Sequence, residues 1–105
     1  MFIPLAKLTD LYDGFQQAVM VAGKSHLLLQ ADGQVYLVEN RCPHMDAPLL
    51  HGAIVGSTLR CKAHGIAFSL ISGGAEGPLA GSLDCLVFVD LVYEGDRVGV
   101  DIPSR

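Results

Sequence analysis

Two short segments hold the residue types best suited to chemistry: Cys42-Pro43-His44 and Cys61-Lys62-Ala63-His64, separated by residues 45–60. A thiolate is a soft donor that suits zinc or iron–sulfur centres, and a neutral imidazole suits both. With one residue between them, Cys42 and His44 do not converge comfortably on a single tetrahedral ion. The spacing suits two neighbouring metals, with the thiolate on one and the imidazole on the other. The second segment repeats the arrangement, so Cys42 and Cys61 are candidate ligands of one metal and His44 and His64 of its neighbour. Structural zinc also takes two Cys and two His, but its usual spacings are C-x2–4-C and H-x3–5-H. Here each pair is mixed and the first is tighter. A zinc-stabilised interaction module stays open as an alternative, recognisable as a colourless and redox-silent protein.

The elements that must position these segments read as short strands and turns. Twelve Gly and five Pro punctuate the chain, and no long segment keeps a helical apolar period. Residues 15–22 form an expected strand ending at Gly23. Residues 25–30 and 34–39 flank Ala31-Asp32-Gly33, and Asp-Gly between β-rich runs is a strong hairpin signal. Residues 53–60 are expected to run as one strand into Cys61. Residues 86–93 and 97–102 form a second hairpin around Glu94-Gly95-Asp96. The expected fold is all-β, a small antiparallel sandwich or barrel. The two ligand segments fall in the least strand-like stretches, 40–52 and 62–79, as loops carried on a rigid sheet.

Composition narrows the rest. Half of the 105 residues are apolar and 17% are charged, the balance of one folded domain over 1–105 rather than of a disordered chain. The longest stretches without a charged side chain, 47–59 and 63–75, are shorter than the ~20 residues of a spanning helix and contain Gly and His. The start, Met1-Phe2-Ile3-Pro4-Leu5-Ala6-Lys7, lacks a basic head before a long apolar run. The expected compartment is therefore the cytoplasm. A net charge of −4 without a Lys/Arg cluster argues against nucleic acid; a mildly acidic chain is suited to a basic partner.

An odd count of three cysteines does not suggest a disulfide framework in such a chain. Cys85 is expected to be a small buried hydrophobe, Met20 a core residue, and His26 exposed. His51 is expected near the ligands or on the surface rather than as a ligand. Met45 and Asp46 are expected to shape the tip of the first loop. The acidic residues are scattered, without a general acid/base couple, and there is neither a nucleophile elbow nor a phosphate-cradling loop, so no catalytic site is expected.

The C-x-H and C-x-x-H pairs resemble the ligand set of Rieske [2Fe–2S] proteins, in which two His replace two Cys on one iron. The resemblance is closest to the ferredoxins of ring-hydroxylating and related oxygenases. Leu49 and Gly52 after the first loop, Gly65 and Phe68 after the second, and Gly77-Pro78 further on match that family's spacing. Lys62 stands where the family usually has Pro, a position that supplies no donor atom. The resemblance implies a Rieske-type fold with a two-loop cluster-binding subdomain. Cys42 and Cys61 would hold the buried iron, and His44 and His64 the outer one.

It further implies a one-electron carrier, without enzymatic activity of its own, between a flavoprotein reductase and a terminal oxygenase. Such a carrier is expected to be a monomer with no membrane partner. A small subunit of another redox system, similar to that of assimilatory nitrite reductase, is the close alternative. Two neutral imidazoles in place of two thiolates make electron uptake easier, and potentials of such centres run from roughly −150 to +300 mV. High-potential relatives carry a disulfide where this chain has Ala47 and Ala63, and a Ser and a Tyr hydroxyl where it has Ile66 and Phe68. Without those hydrogen bonds to sulfur the low end, on the order of −150 mV, is expected.

Overall fold

The computed structural model describes residues 1–43, 47–63, 65–77, 81 and 84–102. These form nine strands: β1 (Phe2–Lys7), β2 (Gln16–Val21), β3 (Lys24–Ala31), β4 (Gln34–Glu39), β5 (Ala53–Val55), β6 (Thr58–Arg60), β7 (Ala67–Ser69), β8 (Val92–Glu94) and β9 (Arg97–Asp101). A single 3-10 turn, Leu8–Asp10, follows β1, and no α-helix occurs among the described residues. The strands pair as three antiparallel sheets, in the orders β1-β9-β8, β2-β3-β4 and β5-β6-β7.

The β2-β3-β4 sheet is the central layer. Its two tight turns each place two residues at positive φ, Ala22 and Gly23 at 52° and 80°, and Asp32 and Gly33 at 52° and 78°. That geometry matches the right-handed twist of the flanking strands. Leu27, Leu28 and Leu29 in β3 are all fully buried, because this strand is covered on both faces. Leu27, Leu29 and Ala31 pack in one cluster with Leu49, Leu59, Phe68 and Leu70 from the ligand-loop side. Leu28 packs in a second cluster with Val21, Leu37 and Val100 beneath the β1-β9-β8 sheet.

Double coverage explains two departures from the expectations. His26, expected to be exposed, is 5% exposed, and its Nδ1 lies 2.9 Å from the Lys24 carbonyl oxygen. Met20, expected in the core, is 64% exposed, for it pairs with Ser25 beside the hairpin turn, beyond the covered middle of the strand, where Ser25 is exposed as well.

Residues 53–60 are two strands rather than one, β5 and β6, joined through Gly56-Ser57 with Val55 opposite Thr58. Residues 86–91 do not form a ladder strand. Val87 and Val89 instead close the outer edge of β4, with Glu39 N–H donating to the Val87 carbonyl and Val89 N–H to that of Leu37, each at 2.9 Å or less. β1 and β7 had no sequence signal of their own. β1 contains Pro4 beside a register shift against β9, a placement open to proline at a sheet edge. β7 is three residues long, in a stretch dominated by Gly and His.

Candidate metal centre

Both candidate thiols lie where the loops leave the sheets. Cys42 follows β4 and Cys61 follows β6 directly. Each is fully buried, neither is in a disulfide, and both belong to the cluster that includes Leu49, Leu59 and Phe68. The two loops close alike. Cys42 N–H donates to the Ala47 carbonyl at 2.6 Å, and Cys61 N–H to the Ile66 carbonyl at 2.8 Å. In each case the acceptor lies the same number of residues beyond the cysteine, so two loops of different sequence present a thiol from the same local fold.

The first loop is anchored by two side-chain amides. Asn40 Oδ1 accepts from Leu49 N–H at 2.8 Å and Leu50 N–H at 3.1 Å, while its Nδ2 donates to Ser25 Oγ at 3.1 Å. Gln16, reaching across from β2, donates to the Gly52 carbonyl at 2.7 Å and accepts from His51 N–H at 2.9 Å. Gly52 sits against β6. A Cβ there would stand 2.5 Å from the Arg60 carbonyl oxygen and 3.0 Å from that of Leu49, so only glycine lets the loop return so close to the strand that leads into Cys61.

The second loop is tightened by Gly65 N–H donating to the Cys61 carbonyl at 2.8 Å, and by the Arg60 guanidinium donating to the Gly65 carbonyl. Between the loops lies an open concavity of about 360 Å³, lined by Ala47, Pro48, Leu50, Lys62 and Ala63. Around the sites, Glu39 is paired with Arg41 at 3.0 Å and Lys24 at 3.1 Å; Arg41 first, then Lys24, hold its carboxyl below the usual value.

His44 and His64 lie outside the described residues, as do Met45 and Asp46. The described residues bring together the two thiols, and among them no group of three or more His, Cys, Asp or Glu could hold a metal. His51 is exposed at a φ of 71°, on the surface side of the two expected places, and it takes part through its backbone. Cys85, expected to be buried, is exposed, because residue 86 rather than 85 turns inward: Leu86 is 5% exposed and its N–H bonds to the Gly73 carbonyl at 2.8 Å. The two amide anchors were not singled out in the sequence. Asn40 carries a weak signal, since Asn at a loop start commonly binds nearby backbone N–H groups. Gln16 carries none, because its contact spans a separation of 36 positions.

The donor chemistry fits an iron–sulfur group: two fully buried thiols outside any disulfide, in equivalent loop positions and packed in an apolar cluster. Among the described residues no helix is long and apolar enough to cross a membrane.

Residues 1–86 match the model of the Rieske [2Fe–2S] domain. The ferredoxin component of the alkene monooxygenase system of Xanthobacter autotrophicus is 30% identical over 98 residues, which are 92% of this chain and 78% of that one. Apoptosis-inducing factor 3 of Homo sapiens is 31% identical over 67 residues, 64% of this chain, but the match spans only 11% of that longer protein. Among solved structures, a ferredoxin of Sphingomonas yanoikuyae B1 superposes with a TM-score of 0.83 over 98% of this chain and 100% of that one, at 24% identity. A chain from the complex of oxygenase and ferredoxin in carbazole 1,9a-dioxygenase gives 0.81 over 94% of this chain and 91% of that one, at 22% identity. Both share the fold.

Proposed function

This chain belongs to the Rieske [2Fe–2S] domain family, and from that premise we propose that it holds one mixed-ligand cluster and passes single electrons from a flavoprotein reductase to a terminal ring-hydroxylating or related oxygenase. The ligands in this proposal are Cys42 and Cys61 on the inner iron and His44 and His64 on the outer one. When bound, the cluster supplies reversible one-electron redox chemistry.

The observation that carries the proposal is the pair of matching loops: two fully buried cysteines outside any disulfide, each with its backbone N–H closing a turn onto the carbonyl of Ala47 or Ile66. Burial in an apolar cluster disfavours a lone thiolate, so thiols there gain most from a metal that neutralises them. Asn40 and Gln16 hold the first loop, and Gly65 and Arg60 the second, before any metal arrives; a preformed site spends less of its binding energy on ordering the chain. Ile66 and Phe68 bring no hydroxyl to the site, which favours the low end of the Rieske potential range.

The 30% identity with the alkene monooxygenase ferredoxin over 92% of this chain supports the choice of an oxygenase as acceptor, and so does the existence of an oxygenase–ferredoxin complex among proteins of the same fold. In this proposal the whole of residues 1–105 works as one module, a cytoplasmic monomer that binds neither nucleic acid nor membrane.

The test is reconstitution. A flavoprotein reductase, this chain and a terminal oxygenase from the same organism are combined with NADH. Product formation that requires this chain, together with uptake of one electron per chain in an anaerobic titration, is the expected result. Oxygenase turnover unaffected by omitting the chain contradicts the proposal.

A further inference from the structure

We propose that Arg60 sets the electron affinity of the centre, as a cation held against the second ligand loop, with Glu76 as the counter-charge that limits its effect. The inference rests on the iron–sulfur cluster proposed above and names a determinant of its potential that lies outside the ligand set.

The outer face of the β5-β6-β7 sheet gives Arg60 its place. Leu59 and Cys61 are fully buried, so Arg60 between them points to the opposite, exposed side. Its two cross-strand neighbours are both alanine, Ala53 in β5 and Ala67 in β7. These short side chains leave an open depression of about 250 Å³, lined also by Val55, Thr58 and Glu76. The long arginine side chain has room to lie along the sheet, and it turns toward the ligand loop to donate to the Gly65 carbonyl.

Gly65 is thereby held from both sides. Its N–H donates to the Cys61 carbonyl at 2.8 Å, and its own carbonyl accepts from Arg60. A hydrogen bond with a charged donor is about twice as strong as a neutral one. It fixes the guanidinium to the segment 61–65, where an unanchored surface arginine would move freely in water.

Uptake of one electron adds one negative charge at the cluster. A cation fixed nearby favours that state, and an anion disfavours it. Glu76 supplies the anion from the same depression. Its N–H donates to the Ala67 carbonyl at 2.8 Å, and its Oε1 accepts from Thr58 Oγ1 at 3.4 Å. Among the described residues the two are not joined in an ion pair, so each acts on the loop as a separate charge.

The experiment is a redox titration of the purified cluster-containing protein, followed by visible absorption at low and high ionic strength. Each reading is a difference from wild type, so the protein's other charges cancel. Arg60→Gln lowers the affinity for the electron about threefold at low salt, a fall of about 30 mV at 59 mV per tenfold. Arg60→Lys keeps the charge and loses less than half as much. Glu76→Gln raises the affinity about twofold. Glu94→Gln makes the same charge change on β8, in a different sheet, and shifts the affinity less than about 1.2-fold. The shifts shrink as salt is added.

An unchanged or raised potential in Arg60→Gln overturns the proposal, as does a loss in Arg60→Lys equal to that in Arg60→Gln. A fall that persists at high salt also overturns it, assigning the effect to loop geometry. Should Arg60→Gln not retain its cluster, Glu76→Gln against Glu94→Gln decides, and equal shifts from the two overturn the proposal. A wild-type protein without [2Fe–2S] absorption overturns the cluster reading and this proposal together, whereas an intact cluster with an unmoved potential overturns this proposal alone.

Discussion

Replacing Asn40 with alanine removes the acceptor of two backbone N–H groups in the first ligand loop and leaves the rest of the loop's covalent structure intact. The Leu49 N–H belongs to a fully buried residue and reaches Asn40 Oδ1 at 2.8 Å. In Asn40→Ala it has no other partner in place, and an unsatisfied buried donor costs about 1–3 kcal/mol. Leu50 is half-buried and its bond is longer, 3.1 Å, so water recovers part of that loss and about 0.5–1 kcal/mol is added. A total of about 1.5–4 kcal/mol corresponds to a roughly 10- to 700-fold rise in local opening.

Native-state hydrogen exchange of the Leu49 and Leu50 amides reads this directly. Asn40→Asp is the control. A carboxylate keeps an acceptor oxygen where Oδ1 stands, and the Ser25 hydroxyl, now 3.1 Å from the amide nitrogen, can turn to donate to the second oxygen. Its effect on exchange should stay below about fivefold. Exchange of Leu49 unchanged in Asn40→Ala, or accelerated as much in Asn40→Asp, refutes the account of how the loop is held.

Other consequences follow from the same geometry. Gly52→Ala drives a Cβ to within 2.5 Å of the Arg60 carbonyl oxygen, and the backbone shift it forces should cost about 1–3 kcal/mol; the loss is read as a lower midpoint in thermal unfolding, with a reduced iron content in the purified protein. Cys42→Ser and Cys61→Ser should each yield protein without stoichiometric iron and acid-labile sulfide, whereas Cys85→Ser, at an exposed thiol, should retain both.

Asp13 accepts from Gln30 Nε2 and Gly33 N–H, each at 2.9 Å, and these bonds, Gln30 first, hold its carboxyl below the ordinary value. The charged form is therefore favoured in the fold: its contribution is complete above the unfolded pKa of about 3.9 and disappears as pH falls through the lower folded value. Thermal melts should show a stability difference between wild type and Asp13→Asn that is constant above about pH 5 and shrinks below about pH 4. A difference that grows on acidification contradicts that sign.

The family was more legible in the sequence than the packing of the scaffold. Cys42 and Cys61 stood out because donor type and spacing are local properties, and both proved to be buried and outside any disulfide. The Asp32-Gly33 hairpin was equally local and closes as expected, with Ala31 opposite Gln34. What the sequence hid depends on distant segments. His26 looks exposed when read alone and is covered because β3 lies in the middle layer. Met20 looks like core and is left exposed beside the β2-β3 turn. The run 86–93 has strand composition, yet residues 87–89 serve as an edge closure for β4. Cys85 shows the limit of composition most simply. Apolar neighbours on one side suggest burial, but the chain turns Leu86 inward instead. Gln16 holds the first ligand loop from another sheet, and no pattern within either segment announces the contact.

The most direct test of the central claim is pulsed electron paramagnetic resonance of the dithionite-reduced protein at low temperature. Mixed ligation predicts a one-electron-reduced [2Fe–2S] signal with nitrogen hyperfine couplings from two directly bound imidazoles, one of which disappears in His44→Cys and the other in His64→Cys. A reduced cluster without strongly coupled nitrogen, or a colourless protein with stoichiometric zinc and no signal, contradicts it.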